Sequence, residues 1–94
     1  MNYLEFNKKL QELRKSKNLT QEQLAEQLYV SRTAISKWES GRGYPSIDSL
    51  KQISKFFALS LDDLLSSEEI LEVAQEDSKQ KIRHFQDIVF GLLD

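Results

Sequence analysis

The chain has no cysteine, a single proline and only three glycines in 94 residues. Without thiols, neither a disulfide framework nor a thiolate metal site can form. No run of about 18 apolar residues occurs, so nothing in the chain is expected to span a bilayer. The N-terminal stretch Met1 to Lys9 lacks the apolar core of a secretory signal. No segment alternates with period two for long enough to predict a strand. A glycine-rich phosphate loop, zinc-ligand spacing and a nucleophile motif are all absent. The one histidine, His84, has no cysteine or tight carboxylate cluster near it and reads as a surface or partner-facing side chain. Asp62-Asp63 and Glu68-Glu69 read as helix-start charges at the positive dipole end. No enzyme activity, metal or cofactor is therefore expected. What remains is a small helical domain: 39% apolar and 10% aromatic residues suffice for one core.

The densest information lies in residues 20 to 39, which read as two short helices joined by a tight turn. Thr20 is a good N-cap, and Gln23 three residues on completes a capping box. Leu24, Ala25 and Leu28 share one face, and small Ala25 admits a closely crossing helix. Ser31 is a second N-cap after Tyr29 and Val30. Ile35 and Trp38 then point inward, with Ala34 beside them. Arg32, Thr33, Ser36 and Lys37 are left facing outward. Gly41 and Gly43 flank Arg42, so the second helix stops near Ser40. This is the layout of a helix-turn-helix, whose second helix enters the major groove of DNA.

These residues resemble the phage-repressor and Cro-like (XRE-type) helix-turn-helix family. The matches are Leu13-Arg14, Leu19-Thr20-Gln21, Leu24-Ala25, Val30-Ser31, the run Ile35 to Gly41, and Pro45 before Leu50. They cover about Phe6 to about Leu65. The resemblance implies an all-α, five-helix lambda-repressor-like domain over residues 1–66, with an additional C-terminal helix in residues 67–94. It implies base contacts by Arg32, Thr33 and Lys37, joined by Ser36 on the same face. It places Gln21, Ser31, Arg42 and Tyr44 at the DNA backbone. Arg14 and Glu39 are implied to pair as an ion bridge that locks the motif to the first helix, with Trp38 as core. Tyr29 departs from the family, which usually has Gly or Asn at that turn. A positive φ is expected there, a strain that Tyr29→Gly relieves by about 1 kcal/mol, offset by lost ring packing and added chain entropy.

Net charge is −2, an unusual value for a DNA binder. The distribution explains it. Residues 1–45 carry eight Lys/Arg against five Asp/Glu, and residues 46–94 carry five against ten. Local field at the binding face matters more than the total. Along the chain, a first helix is expected from Tyr3 to Ser16, capped by Asn2 with Glu5 three on. Lys17-Asn18 form a turn. Ser46 caps a fourth helix with Ile47, Leu50, Ile53, Phe56 and Phe57 apolar, ended by Ala58 and Leu59. Phe56-Phe57 reads as core, not as a base-stacking platform. Ser60 caps a short fifth helix, where Leu61, Leu64 and Leu65 close the core.

Ser66 with Glu69 forms another capping box, and residues 67–94 are expected to continue as a helix. Ile70, Val73 and Ala74 give an apolar patch. Ile82, Phe85, Val89 and Leu92 form a seam suited to a helix partner, with Leu65 and Ile70 as its extension. Three readings stand: the helix folds back on its own domain, it joins two copies, or it links to a membrane tether or effector domain beyond Asp94. The expected function is a sequence-specific DNA-binding transcriptional regulator, a repressor, that binds a double-stranded operator as a homodimer in the cytoplasm. The alternative is a protein-interaction adaptor or antitoxin-like module on the same fold. The outward cations at Arg32 and Lys37 favour the first.

Overall fold

Three helices of this molecule both begin on a hydroxyl and close through a left-handed residue, and that pairing fixes much of the architecture. The structure, a computed structural model, describes residues 5–75. Its helices are α1 (Phe6–Ser16), α2 (Gln21–Leu28), α3 (Arg32–Glu39), α4 (Ile47–Phe57) and α5 (Leu61–Leu64). Residues 67–75 are also helical and are called α6. No strand occurs among the described residues.

The starts follow from capping chemistry. The hydroxyls of Thr20, Ser31, Ser46 and Ser60 accept from the N–H groups of Gln23, Ala34, Ser49 and Asp63. Each cap satisfies a backbone donor that the helix cannot, worth about 1 kcal/mol. At Thr20 the box is reciprocal: Gln23 Oε1 accepts from the Thr20 N–H at 2.9 Å.

The ends share a second device. Asn18, Tyr29, Gly41 and Ala58 all have φ between 55° and 77°. After each, the next N–H returns to a carbonyl five residues back: Leu19 to Arg14, Val30 to Ala25, Arg42 to Lys37, Leu59 to Ser54. This is the Schellman closure. Leu19, Val30 and Leu59 then pack against the core. Burial of that following residue fixes the left-handed turn, even where the turn residue is not glycine.

The core holds Phe6 and Leu10 of α1, Leu24, Ala25 and Leu28 of α2, Ile35 and Trp38 of α3, and Leu50 and Ile53 of α4. Leu64, Leu65 and Val73 complete it. Each fully buried leucine or isoleucine contributes about 1.5–3 kcal/mol relative to exposure. Helix α3 packs on both α2 and α1, so the motif is seated on a preformed surface. Phe56 and Phe57 lie edge to face at 5.0 Å between ring centroids, partly buried against the core, with the Lys17 ammonium 4.9 Å from the Phe56 ring.

Three expectations need correction. Glu5 is extended, at φ −63° and ψ 155°, so α1 begins at Phe6 and not at Tyr3; residue 2, its expected cap, lies outside the described residues. The Phe6 N–H instead donates to Glu69 Oε2 at 3.1 Å, a partner 63 residues away. Second, α6 is not set apart from the domain. Val73 is buried in the common core and Ile70 packs against it, while Ala74 is exposed. Third, Leu65 and Ile70 face this core, so they cannot extend a partner seam. The seam residues Ile82, Phe85, Val89 and Leu92, like His84, lie outside the described residues.

Candidate nucleic-acid interface

Helix α3 has one dry face and one wet face. Ile35 is completely buried and Trp38 nearly so. Arg32, Thr33 and Lys37 are exposed and Ser36 is half-buried on the other side. The only acid in α3 is Glu39, which is buried. From Arg32 to Pro45 the exposed charges are Arg32, Lys37 and Arg42, all cationic. That local excess has the right sign for a polyanion even though the whole chain is slightly negative.

Glu39 ties the end of α3 to α1 and α2. Its Oε2 accepts from Arg14 Nε at 2.7 Å and its Oε1 from Arg14 Nη2 at 3.0 Å. The two side chains are only 11% and 3% exposed. Arg14 Nη1 donates in addition to the Leu19 carbonyl at 2.8 Å. The side-chain bond to Glu39 raises the Arg14 pKa above its ordinary value, against an opposing pull from burial. One fork thus ties the end of α1, the turn before α2 and the end of α3. The fork is planar and bidentate, a geometry that lysine cannot reproduce.

The residues assigned to the DNA backbone divide. Gln21 Nε2 donates to Glu39 Oε1 at 3.2 Å, which orients the carboxamide and leaves its second N–H for another acceptor. The Ser31 hydroxyl accepts from Ala34 N–H at 3.1 Å and keeps its own proton to donate. Arg42 Nε donates to Ser40 Oγ at 2.9 Å, and Ser40 Oγ donates to the Lys37 carbonyl at 3.0 Å. Arg42 is therefore braced at its stem while its exposed end carries the charge. Tyr44 is different. Its hydroxyl donates to Glu69 Oε2 at 2.8 Å, and its ring stands 6.0 Å from that of Phe6. A phenol has one proton to donate, and here that proton is committed to Glu69.

Two residues with local roles in the sequence also position this face. Gly43 seats Lys37: a Cβ there would lie 2.9 Å from Lys37 Cε, so the lysine stem rests against bare backbone. Glu69, 7% exposed, gathers the Phe6 N–H, the Tyr44 hydroxyl and the Ser66 N–H on one carboxylate. Burial alone would push its pKa up. The hydrogen bonds from Ser66, Tyr44 and Phe6 outweigh that and hold it below the usual carboxylate range. Burial, followed by the bond to Glu69, pushes the Tyr44 phenol well above its ordinary value. The Ser66-x-x-Glu69 capping box was visible in the sequence, but its long-range partners carried no local signal. Among the described residues no cluster of potential metal ligands exists, and no described helix is long and apolar enough to cross a membrane.

Comparison with known proteins agrees with this geometry. A family model described as helix-turn-helix matches residues 10–64. The chain is 59% identical over 91 residues to the HTH-type transcriptional activator BcrR of Enterococcus faecalis, covering 97% of this chain and 45% of that protein. It is 34% identical over 61 residues to the cryptic phage CTXphi transcriptional repressor RstR of Vibrio cholerae, covering 65% of this chain and 54% of the other. Among solved structures, the P22 c2 repressor in complex with a synthetic operator superposes with a TM-score of 0.64 at 30% identity, over 68% of this chain and 97% of that one. The chain spans about half the length of these two relatives. With a family model over more than half its length and a buried Arg14–Glu39 fork beneath an outward-facing α3, the chain belongs to the XRE-type helix-turn-helix family.

Proposed function

We propose that this chain is the DNA-binding part of a sequence-specific transcriptional regulator, and that α3 reads the major groove. The observation that carries the reading is the sidedness of α3. Its inner face is locked by Ile35, Trp38 and the Arg14–Glu39 fork, and its outer face offers only cationic and polar groups. Arg32 is suited to a bidentate contact with guanine, and Thr33 can present its methyl to thymine. Ser36 and Lys37 extend the face. Gln21, Ser31 and Arg42 are assigned to phosphates, and Tyr44 is withdrawn from that set because its proton is committed to Glu69.

Likeness to a repressor solved on its operator supports DNA as the partner. The sign of regulation follows from operator position, not from the domain. Similarity to a protein named an activator as well as to phage repressors leaves a purely repressive role without special support. Two copies binding half-sites about 34 Å apart would supply the specificity that one short helix lacks. In a longer chain, a tether or an effector domain would set the signal.

The test is a shift assay with fragments from upstream of the gene, followed by a base-by-base binding profile. Arg32→Ala should cost about 1–3 kcal/mol at the cognate site and flatten the preference at one base pair. An Arg32→Ala profile identical to the wild type would remove α3 from the reading role.

A further inference from the structure

Tyr29 sits in a conformation that costs the fold stability, and its side chain gives the fold nothing back. Its φ is 56°, in the left-handed region that disfavours every residue with a Cβ. Its ring is 90% exposed. No hydrogen bond of its hydroxyl to another described residue is formed. The turn itself does not ask for an aromatic. Val30, the next residue, closes the turn by packing inward and donating to the Ala25 carbonyl at 3.0 Å. A glycine at position 29 would make the same closure without strain. Asn18 and Ala58 occupy the same kind of turn with small side chains. Among the described residues, Tyr29 alone holds a large amphipathic group out at such a strained site.

Its place makes that group useful. Tyr29 caps the end of α2, and Ser31 caps the start of α3 two residues later. Two residues reach about 7 Å at most, so Tyr29 stands beside the end of α3 that carries Arg32 and Thr33. In the groove-reading arrangement the N-terminal residues of the second helix meet base edges while the preceding helix crosses the backbone. The turn between them lies at the groove rim. A phenol there can donate to a phosphate oxygen and lay its ring on the sugar, contacts that neutral side chains commonly make in protein–DNA complexes.

We propose that Tyr29 is a DNA-backbone contact at the rim of the major groove, which rests on the groove-reading function above. The contact is neutral, so it adds affinity without releasing counterions. It is independent of sequence, so it tightens cognate and unrelated duplexes alike. Its location explains why a bulky residue stands where the turn favours glycine: stability is given up locally for binding.

The experiment uses the full chain and three variants, Tyr29→Gly, Tyr29→Asn and Tyr29→Phe. Each is measured for thermal unfolding and for binding to the cognate duplex and a scrambled duplex across a salt series. Tyr29→Gly and Tyr29→Asn should melt at or above the wild-type temperature yet bind both duplexes about three- to tenfold more weakly. Tyr29→Phe should account for most of that loss. The slope of log K against log salt should stay at the wild-type value in all three, unlike loss of a phosphate-bound arginine. Unchanged affinity in Tyr29→Gly overturns the contact. So does a loss confined to the cognate duplex, which would make Tyr29 a base reader. So does an altered transcriptional output at unchanged affinity, which would make the ring a protein-docking group. A wild-type chain that shifts no duplex overturns the groove-reading function itself, and the two failures are thereby distinguished.

Discussion

Replacing Glu39 by alanine removes three charge-assisted hydrogen bonds at once: two from Arg14, at 2.7 and 3.0 Å, and one from Gln21 at 3.2 Å. The consequence is set less by what those bonds contribute than by what is left behind. Arg14 stays 11% exposed with a fixed positive charge and only the Leu19 carbonyl as partner. Breaking a buried pair by deleting one member costs about 3–5 kcal/mol. The residual exposure of Arg14 and its retained bond place Glu39→Ala near the lower end, about 3 kcal/mol. In a domain of this size each kcal/mol moves Tm by about 4–8 °C, so a fall of roughly 12–24 °C is expected. Circular dichroism melts of the full chain measure it. Arg14→Met combined with Glu39→Leu should recover most of the loss, because an apolar pair strands no charge. A shift under about 4 °C for Glu39→Ala would mean that the pair behaves like a solvated surface bridge. The view of the fork as the clamp beneath α3 would then fail.

Other outcomes are as specific. Arg42→Ala should weaken binding to every duplex and lower the salt slope by about one, read from a salt titration; an unchanged slope removes Arg42 from the backbone contacts. Glu69 has a depressed folded pKa, so its stabilising effect is present above the unfolded value of 4.5 and is lost as pH falls through the folded one. The Tm gap between wild type and Glu69→Ala should therefore be wide at neutral pH and narrow below pH 4, and a pH-independent gap would refute the carboxylate as hub. Tyr44 has a raised pKa, so the contribution of its hydroxyl holds below the ordinary value of 10.0 and fades as pH rises beyond it; Tyr44→Phe should lose stability at neutral pH with unchanged salt slope on DNA. On assembly, residues 1–94 should sediment as a concentration-dependent dimer and a chain ending near residue 75 as a monomer, with equal sedimentation counting against the distal seam.

Local chemistry was legible from the sequence because it depends on short spacings. The caps at Thr20, Ser31, Ser46 and Ser60 each follow from one hydroxyl three residues ahead of an N–H, and all four form. The inward set Leu24, Ala25, Leu28, Ile35 and Trp38 follows from the helical period, and all five are buried. The positive φ at Tyr29 also occurs, but the ring packing expected to offset its strain does not, since the ring is exposed. Long-range partnerships were the blind spot. Nothing near Phe6 indicates that Glu69 supplies its N-terminal acceptor, so local spacing alone points to Asn2 as the cap and to a longer helix. Nothing near Tyr44 shows that its proton is taken. The left-handed turns at Asn18 and Ala58 lacked glycine as a flag, yet a usable sign existed: an apolar residue, Leu19 or Leu59, directly after the turn position.

The two carboxylates that matter most here, Glu39 and Glu69, explain how an acidic chain can present a basic face. Both are buried and both accept three hydrogen bonds, and neither carboxylate lies on the outer side of α3. Glu39 couples α3 to α1 from below, and Glu69 couples the loop after α3 to α1 and α6 from the side. The cations Lys37 and Arg42 thus lie on backbone held at the C-terminal end of the reading helix and in the loop after it, while the exposed acids of the described residues lie on other elements. A side chain that must meet a base edge needs a frame that does not shift when charge is brought near it. Carboxylates buried with their partners supply that frame without competing with phosphates for the exposed cations.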